Sequence, residues 1–245
     1  MNARYLFSTL MCMLILSAWP AKAQLYIKNK VLTVKDGLSD NRITCFYQDP
    51  TGFMWIGTKN GLNRYDGRHI RIFKPDQVNG ISNEIINDIT GTADGKIWVA
   101  TMNGLNMFDP AKDEWKTWYA GDITKGTLPN NLVWDLHLDA AGKLWIASDI
   151  RELSYIDTRN FSFNYFNWPG FAKSLPSTIV SKGYHSIKKI SPDTDQGLWL
   201  GTNRGLARLD FANASFSFMP GGYHAELFDM FADSINKQVF ITYQT

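Results

Sequence analysis

Apolar positions in this chain gather into short dense runs cut by turn residues, and no long stretch of helical period appears after the N-terminal segment. One run sets the type. Phe53-Met54-Trp55-Ile56-Gly57-Thr58-Lys59-Asn60-Gly61-Leu62-Asn63-Arg64-Tyr65-Asp66 returns as Lys96-Ile97-Trp98-Val99-Ala100-Thr101-Met102-Asn103-Gly104-Leu105-Asn106-Met107-Phe108-Asp109. It returns again from Gly197 through Trp199, Gly201 and Thr202 to Asp210, and a looser copy, Lys143-Leu144-Trp145-Ile146-Ala147-Ser148, lies between. A tryptophan, an aliphatic, a Gly or Ala and a Thr or Ser read as a strand whose close neighbours leave little room at the small position. Asn60-Gly61 and Asn103-Gly104 are dipeptides favoured in two-residue turns of positive φ, so a hairpin should lead into a second short strand ending in Asp.

Around these copies the chain supplies two more strands per unit. Ile43 to Asp49 precedes the first tryptophan strand, closed by the turn Asp49-Pro50-Thr51-Gly52, and His69 to Phe73 follows as a fourth strand. Four antiparallel strands per repeat is the plan of a propeller blade. The tryptophans are spaced by 43, 47 and 54 residues, with 41 more to Phe240 at the same position. Propeller repeats of roughly 40–50 residues have this period, and helical repeats fit it less well. The expected fold is therefore all-β, a β-propeller of four full four-stranded blades and part of a fifth. Their bounds are about 37–76, 80–120, 128–167, 184–220 and 223–245. Such a chain is either a small ring sealed by its N-terminal strand or an incomplete part of a larger ring. Leu25 to Val34 reads as a further strand with no repeat of its own.

Composition alters this picture little, except at the N-terminus. Arg4, the apolar run Leu6 to Ala18 and Ala21-Lys22-Ala23 have the order of an export signal, making 1–23 a signal peptide and 24–245 the propeller, in the periplasm. Its apolar run is short for a membrane span. The formal charge of +2 then becomes 23 basic against 23 acidic residues, which gives no reason to propose nucleic acid or an anionic membrane as a partner, and no membrane span is expected after signal removal. Cys12 falls within the signal, so Cys45 stands alone and no internal disulfide can form.

The residues also carry a family likeness. Gly37-Leu38-Ser39-Asp40-Asn41, its echo at Gly80 to Asn83, the run Gln48-Asp49 through Gly52-Phe53 to Trp55-Ile56-Gly57-Thr58, and Gly61-Leu62 with Arg64-Tyr65-Asp66-Gly67 resemble regulator-propeller repeats. These occur in the periplasmic N-terminal sensor of hybrid two-component system histidine kinases of Bacteroidetes. The resemblance implies two seven-bladed propellers followed by an immunoglobulin-like module, a membrane helix and a cytoplasmic kinase. It also implies ligands that are polysaccharide breakdown products, and a homodimer formed through C-terminal regions. The sequence has no phospho-acceptor histidine context and no nucleotide-binding glycine motif, so no kinase core and no enzyme activity are expected of it. The sequence departs from that pattern by ending inside the fifth blade, and a gene fragment, or the front of a split gene, is the expected account.

Candidate chemistry follows from where the repeat breaks. Trp55, Trp98, Trp145 and Trp199 recur in every blade and are expected to pack between sheets rather than stack on sugars. Asp49, Asp66, Asp94, Asp109, Asp139, Asp157 and Asp210 sit in turns, where Asp serves backbone donors. Asn41, Asn83 and Asn131 recur at the mouth of the inner strand as expected loop-holding residues. Blade three departs from the rule, with Ser148-Asp149-Ile150-Arg151-Glu152 where its neighbours have a shorter Asn-Gly turn, and a long inter-blade segment follows. Asp149, Arg151, Glu152, Trp168, Tyr184 and His185 are thus the candidate oligosaccharide-binding residues. A solvated insertion without ligand is the plain alternative. His69, His137, His185 and His224 lack metal-ligand spacing, and neither a metal nor a cofactor is expected. The reading is a periplasmic ligand-sensing propeller, with a propeller lyase or glycosidase and a passive protein-interaction scaffold as alternatives.

Overall fold

The computed structural model describes residues 30–149, 153–166, 186–193, 197–203, 205–213, 215–219, 227–233 and 238–243. From Leu32 onward they form one compact unit. Its strands are consecutive antiparallel meanders, as the repeat demands. Blade one is β1 (Ile43–Gln48), β2 (Met54–Thr58), β3 (Gly61–Tyr65) and β4 (Ile70–Phe73). Blade two is β5 (Ile86–Gly91), β6 (Ile97–Thr101), β7 (Gly104–Asp109) and β8 (Glu114–Trp118). Blade three is β9 (Val133–Leu138), β10 (Lys143–Ser148), β11 (Leu153–Asp157) and β12 (Phe163–Phe166). Blade four is β13 (Ile187–Asp193), β14 (Gly197–Thr202), β15 (Gly205–Asp210) and β16 (Ser215–Phe218), and the fifth shows β17 (Leu227–Asp233) paired with β18 (Gln238–Tyr243).

Each first strand touches the first strand of the next blade, so β1, β5, β9, β13 and β17 line the inside of the arc. The second strand is buried on both faces, and its alternation chooses between two neighbours. In β6, Ile97 and Val99 join Trp55, Leu62 and Phe73 of blade one, while Trp98 and Ala100 join Val133, Leu136, Leu144 and Ile146 of blade three. Trp145 packs in the same way against Ile187, Ile190 and Leu200 of blade four. Trp199 is half-buried, and Phe240 occupies the equivalent position in β18, paired with Phe231 and 56% exposed. At the other end of the arc Phe46 is 73% exposed. The small position is forced by proximity: a Cβ on Gly57 would lie 2.5 Å from Cys45 Sγ and 2.7 Å from Ile86 Cγ2.

Two local expectations change. The hairpin loop is Lys59-Asn60, since Thr58 pairs with Gly61, and Asn60 is not among the described non-glycine residues with positive φ. Left-handed backbone falls on Gly61 (φ 127°) and Gly104 (φ 116°), immediately after the turn. The Thr58 hydroxyl holds the turn, accepting from Asn60 N–H and donating to Gly61 O at 2.8 Å. Gly61 N–H is thereby free to donate to Glu84 O of the next inter-blade loop at 2.7 Å, as Gly104 N–H does to Asn131 O at 2.6 Å. The proposed strand at Leu25 to Val34 is not found in its described part. There Thr33 caps a 3-10 turn over Val34–Asp36, accepting from Lys35 N–H while Asp36 answers Thr33 N–H.

The buried indoles show what a turn must supply. Trp55 Nε1 donates to Asp49 Oδ2 and Trp145 Nε1 to Asp139 Oδ2, both at 2.9 Å. Trp98 Nε1 is buried without a partner. Six residues before it stands Thr92, whose hydroxyl donates to Asp94, whereas blade one has Asp49 accepting from the Thr51 hydroxyl. The two turn residues have changed places, which removes the carboxylate from reach of the indole. The double substitution Thr92→Asp/Asp94→Thr should restore it and stabilise the fold by about 1–2 kcal/mol, raising Tm by roughly 2–6 °C. Thermal unfolding followed by circular dichroism reads this directly, and an unchanged or lower Tm contradicts the account.

Candidate functional site

All five first strands carry a β-bulge at the same place. The register slips between Ile43 and Cys45, Ile86 and Asp88, Val133 and Asp135, Ile187 and Lys189, and Leu227 and Asp229. A bulge re-aims side chains and unpairs one residue. Here it gives two columns, one of bulged residues (Thr44, Asn87, Trp134, Lys188) and one of the residues that follow (Cys45, Asp88, Asp135, Lys189, Asp229).

The second column links blade to blade. Asp88 Oδ2 accepts the Leu136 N–H of blade three at 2.9 Å, and Asp135 Oδ2 accepts the Ile190 N–H of blade four at 2.7 Å. Lys189 Nζ lies 3.1 Å from Asp135 Oδ1 and 3.8 Å from Asp229 Oδ1. Burial, with the Asp135 charge beside it, pushes the Asp88 carboxyl well above the usual carboxylate range. Burial works against the charge on Lys189, but Asp135 and Asp88 more than offset it and its pKa is raised. Burial and the Asp88 charge push the Cys45 thiol up to about 12, which leaves it an unreactive small apolar group.

The first column contains a tighter cluster at the loop face of blades three and four. Trp134 Nε1 donates to Asp149 Oδ1 at 2.8 Å. Lys188 Nζ lies 3.3 Å from the same oxygen and 3.4 Å from the centroid of the Trp134 ring. An ammonium is thus held between an aromatic face and a carboxylate, with Lys188 reaching across from the neighbouring blade. Trp134 itself packs against the apolar cluster shared by blades three and four.

Of the residues proposed from sequence, Asp149 is in this cluster, half-buried. Arg151, Glu152, Trp168, Tyr184 and His185 lie outside the described residues. The turn aspartates serve their own loops: Asp49 accepts Thr51 and Phe53 N–H, Asp66 accepts Arg68 and His69 N–H, and Asp139 accepts Ala141 and Lys143 N–H. The asparagine column needs a shift of register. Asn83 is equivalent to Asp40 and Asn130, each three residues before the first strand residue and each accepting the N–H two residues on (Arg42, Ile85, Leu132). Asn41 and Asn131 accept instead from Val34 and Ala120 N–H.

Blade three lacks the polar clasp of blades one and two, as does blade four, where Ala207 stands at the asparagine position. In blades one and two, Asn63 and Asn106 accept Ser39 and Ser82 N–H at 2.9 Å and donate to those hydroxyls at 2.8 Å. Blade three has Ser154 in place of the asparagine and Pro129 in place of the serine. Ser148 stands where Thr58 and Thr101 bond to the turn glycine, and both Ser148 Oγ and Ser154 Oγ are buried without partners. Trp134, Lys188, Asp88, Asp135, Lys189 and Asp229 are absent from the sequence-based candidates. A charge two residues after the opening aliphatic of successive inner strands would have found Asp88, Asp135, Lys189 and Asp229, whereas Trp134 and Lys188 carry no such signal. Among the described residues no three His, Cys, Asp or Glu side chains are placed to hold a metal ion.

The family model named two component regulator propeller matches residues 37–60 and 127–149, the second match ending on Asp149. The chain carries two-component regulator propeller repeats. The likeness drawn from Gly37 to Asn41 and from the tryptophan strand agrees with this match. Histidine kinase P4 of Formosa agariphila is 40% identical over 45 residues, or 18% of this chain and 3% of that protein. The extracellular domain of a B. thetaiotaomicron hybrid two-component system superposes with a TM-score of 0.72 at 23% identity, covering 86% of this chain and 29% of that one. A second B. thetaiotaomicron extracellular domain gives 0.71 at 19% identity, covering 89% of this chain and 31% of that one. These likenesses establish the propeller fold, and this chain spans less than a third of the length of each relative. No helix among its described residues is long and apolar enough to cross a membrane.

The raised Asp88 pKa fixes the sign of a pH effect. A carboxyl that keeps its proton in the folded state beyond the unfolded pKa costs no stability at acid pH, and costs progressively more as pH climbs toward its folded pKa. Asp88→Asn retains an oxygen to accept Leu136 N–H and removes the titration. Its stability should match the parent near pH 4 and exceed it near pH 8, by on the order of 1–2 kcal/mol because solvent reaches a half-buried side chain. Denaturant unfolding across that range checks it; parallel pH profiles for the two proteins contradict it.

Proposed function

We propose that this chain is the ligand-sensing propeller region of an exported two-component regulator, and that its ligand is a polysaccharide breakdown product bound at the loop face of blades three and four. The observation that carries the reading is the Trp134, Asp149 and Lys188 cluster, built between blade four and the blade whose turn and buried hydroxyls depart from the repeat. Export is supported by the signal-like order of residues 1–23 and by relatives that are extracellular domains. An aromatic face with hydrogen-bonding groups beside it suits a sugar ring. Because two ion pairs cross from blade three to blade four at this place, a ligand that replaces one of them alters how the blades hold each other.

Calorimetry against a panel of neutral, acidic and basic oligosaccharides tests the reading. Saturable binding is expected for one class, weakened by about tenfold or more on Asp149→Ala or Trp134→Ala with the thermal transition retained. The same panel should show no turnover by chromatography. Binding with turnover favours a carbohydrate-active enzyme, and a panel without heat favours an interaction scaffold.

A further inference from the structure

The Trp134 and Asp149 pair is already occupied, and the occupant indicates the chemistry the site selects. Lys188 is a primary ammonium 3.4 Å from the ring centroid and 3.3 Å from the carboxylate oxygen that also accepts the indole N–H. Electron density on the indole face and a carboxylate at its edge attract a cation, and a neutral hydroxyl gains less from either.

We propose that the Trp134 face and the Asp149 carboxylate form a recognition site for a primary ammonium group, held closed by Lys188, and that the saccharide it takes carries a free amine, as an amino sugar does. The saccharide part rests on the function proposed above; the ammonium selectivity rests on the geometry alone. Lys188 belongs to blade four and Trp134 and Asp149 to blade three, so an incoming ammonium replaces one of the two ion pairs that join these blades while leaving the site's charge unchanged. An acetylated amino sugar has no such charge and cannot make the exchange.

The experiment uses the whole chain and two probes. Lys188→Ala empties the site, and methylammonium chloride, against sodium chloride at equal ionic strength, should shift the Trp134 indole N–H resonance saturably and raise the melting temperature of the variant. Adding Trp134→Leu to Lys188→Ala should abolish both effects. In the parent chain, glucosamine oligomers should bind tighter than their N-acetylated counterparts by about tenfold or more. Absence of a methylammonium effect on folded Lys188→Ala, or equal affinity for acetylated and free-amine oligomers, overturns the proposal. The oligomer comparison needs no variant, so it decides the matter even where Lys188→Ala fails to fold. A neutral or acidic glycan that binds the parent and is lost in Asp149→Ala overturns ammonium selectivity while leaving the sensing function standing.

Discussion

Contact between sheets is the constraint on which the rest of this structure depends. A four-stranded sheet buried on both faces needs an apolar neighbour on each, and consecutive residues of one strand must serve two different partners. In β6 this divides Ile97 and Val99 from Trp98 and Ala100, although all four are equally buried. It also explains why the tryptophan strand reads as an unbroken apolar run instead of an alternating one. Where no described neighbour follows, the same positions lie open, as Phe46 and Phe240 do at the two ends of the arc. The small residue serves the same contact: Ile86 of the next blade's first strand presses on Gly57, and Ala100 and Ala147 pack into the clusters shared with the following blades.

Burial on both sides leaves polar groups few places to find partners, so each repeat supplies its own. An aspartate six residues before the tryptophan takes its N–H, an asparagine ties down the serine of the lead-in loop, and a threonine closes the hairpin on a glycine. These are local bonds of about 1 kcal/mol each, and their main effect is that no buried donor is stranded. The exceptions are informative. Among the described residues blade two strands two indoles, Trp98 through an exchange of two turn residues and Trp115 in its last strand, while blade three strands two hydroxyls, on either side of the hairpin that carries Asp149. Loss of a repeat's internal bonds around one loop marks the place where something other than repeat geometry has shaped the sequence.

The architecture was legible because it is periodic. Tryptophan spacing, turn residues and the recurring Gly or Ala gave blade, strand order and inter-sheet packing, and Phe240 was assigned to its place without a tryptophan. The site was legible only at Asp149, where a break in the pattern is visible in a single line of sequence. Its partners were not, because Trp134 and Lys188 owe their direction to a bulge. A bulge has no signature in apolar and polar alternation; it moves one residue out of register and leaves the composition of the strand unchanged. The turn chemistry was misassigned for a related reason: Asn-Gly dipeptides name a turn, but the Gly61 N–H is committed to the next blade, which places the glycine after the turn instead of within it. In the asparagine column the spacing from loop to strand differs by one residue between copies, so matching residue names aligned positions that are not equivalent.

The two columns made by the bulge place adjacent residues of one strand into two separate ion pairs with the next blade. Asp149 meets Lys188 and Asp135 meets Lys189, so the boundary between blades three and four is held at two successive levels. Charges taken out of water this way are costly to leave unmatched. Under the proposed reading, a ligand at the outer level must replace what Lys188 supplied while the Asp135–Lys189 pair remains. Only the difference in its affinity for the two arrangements of the boundary is then available to move the structure. The proposal thus trades affinity for the ability to report occupancy, which a sensor requires and a scaffold does not.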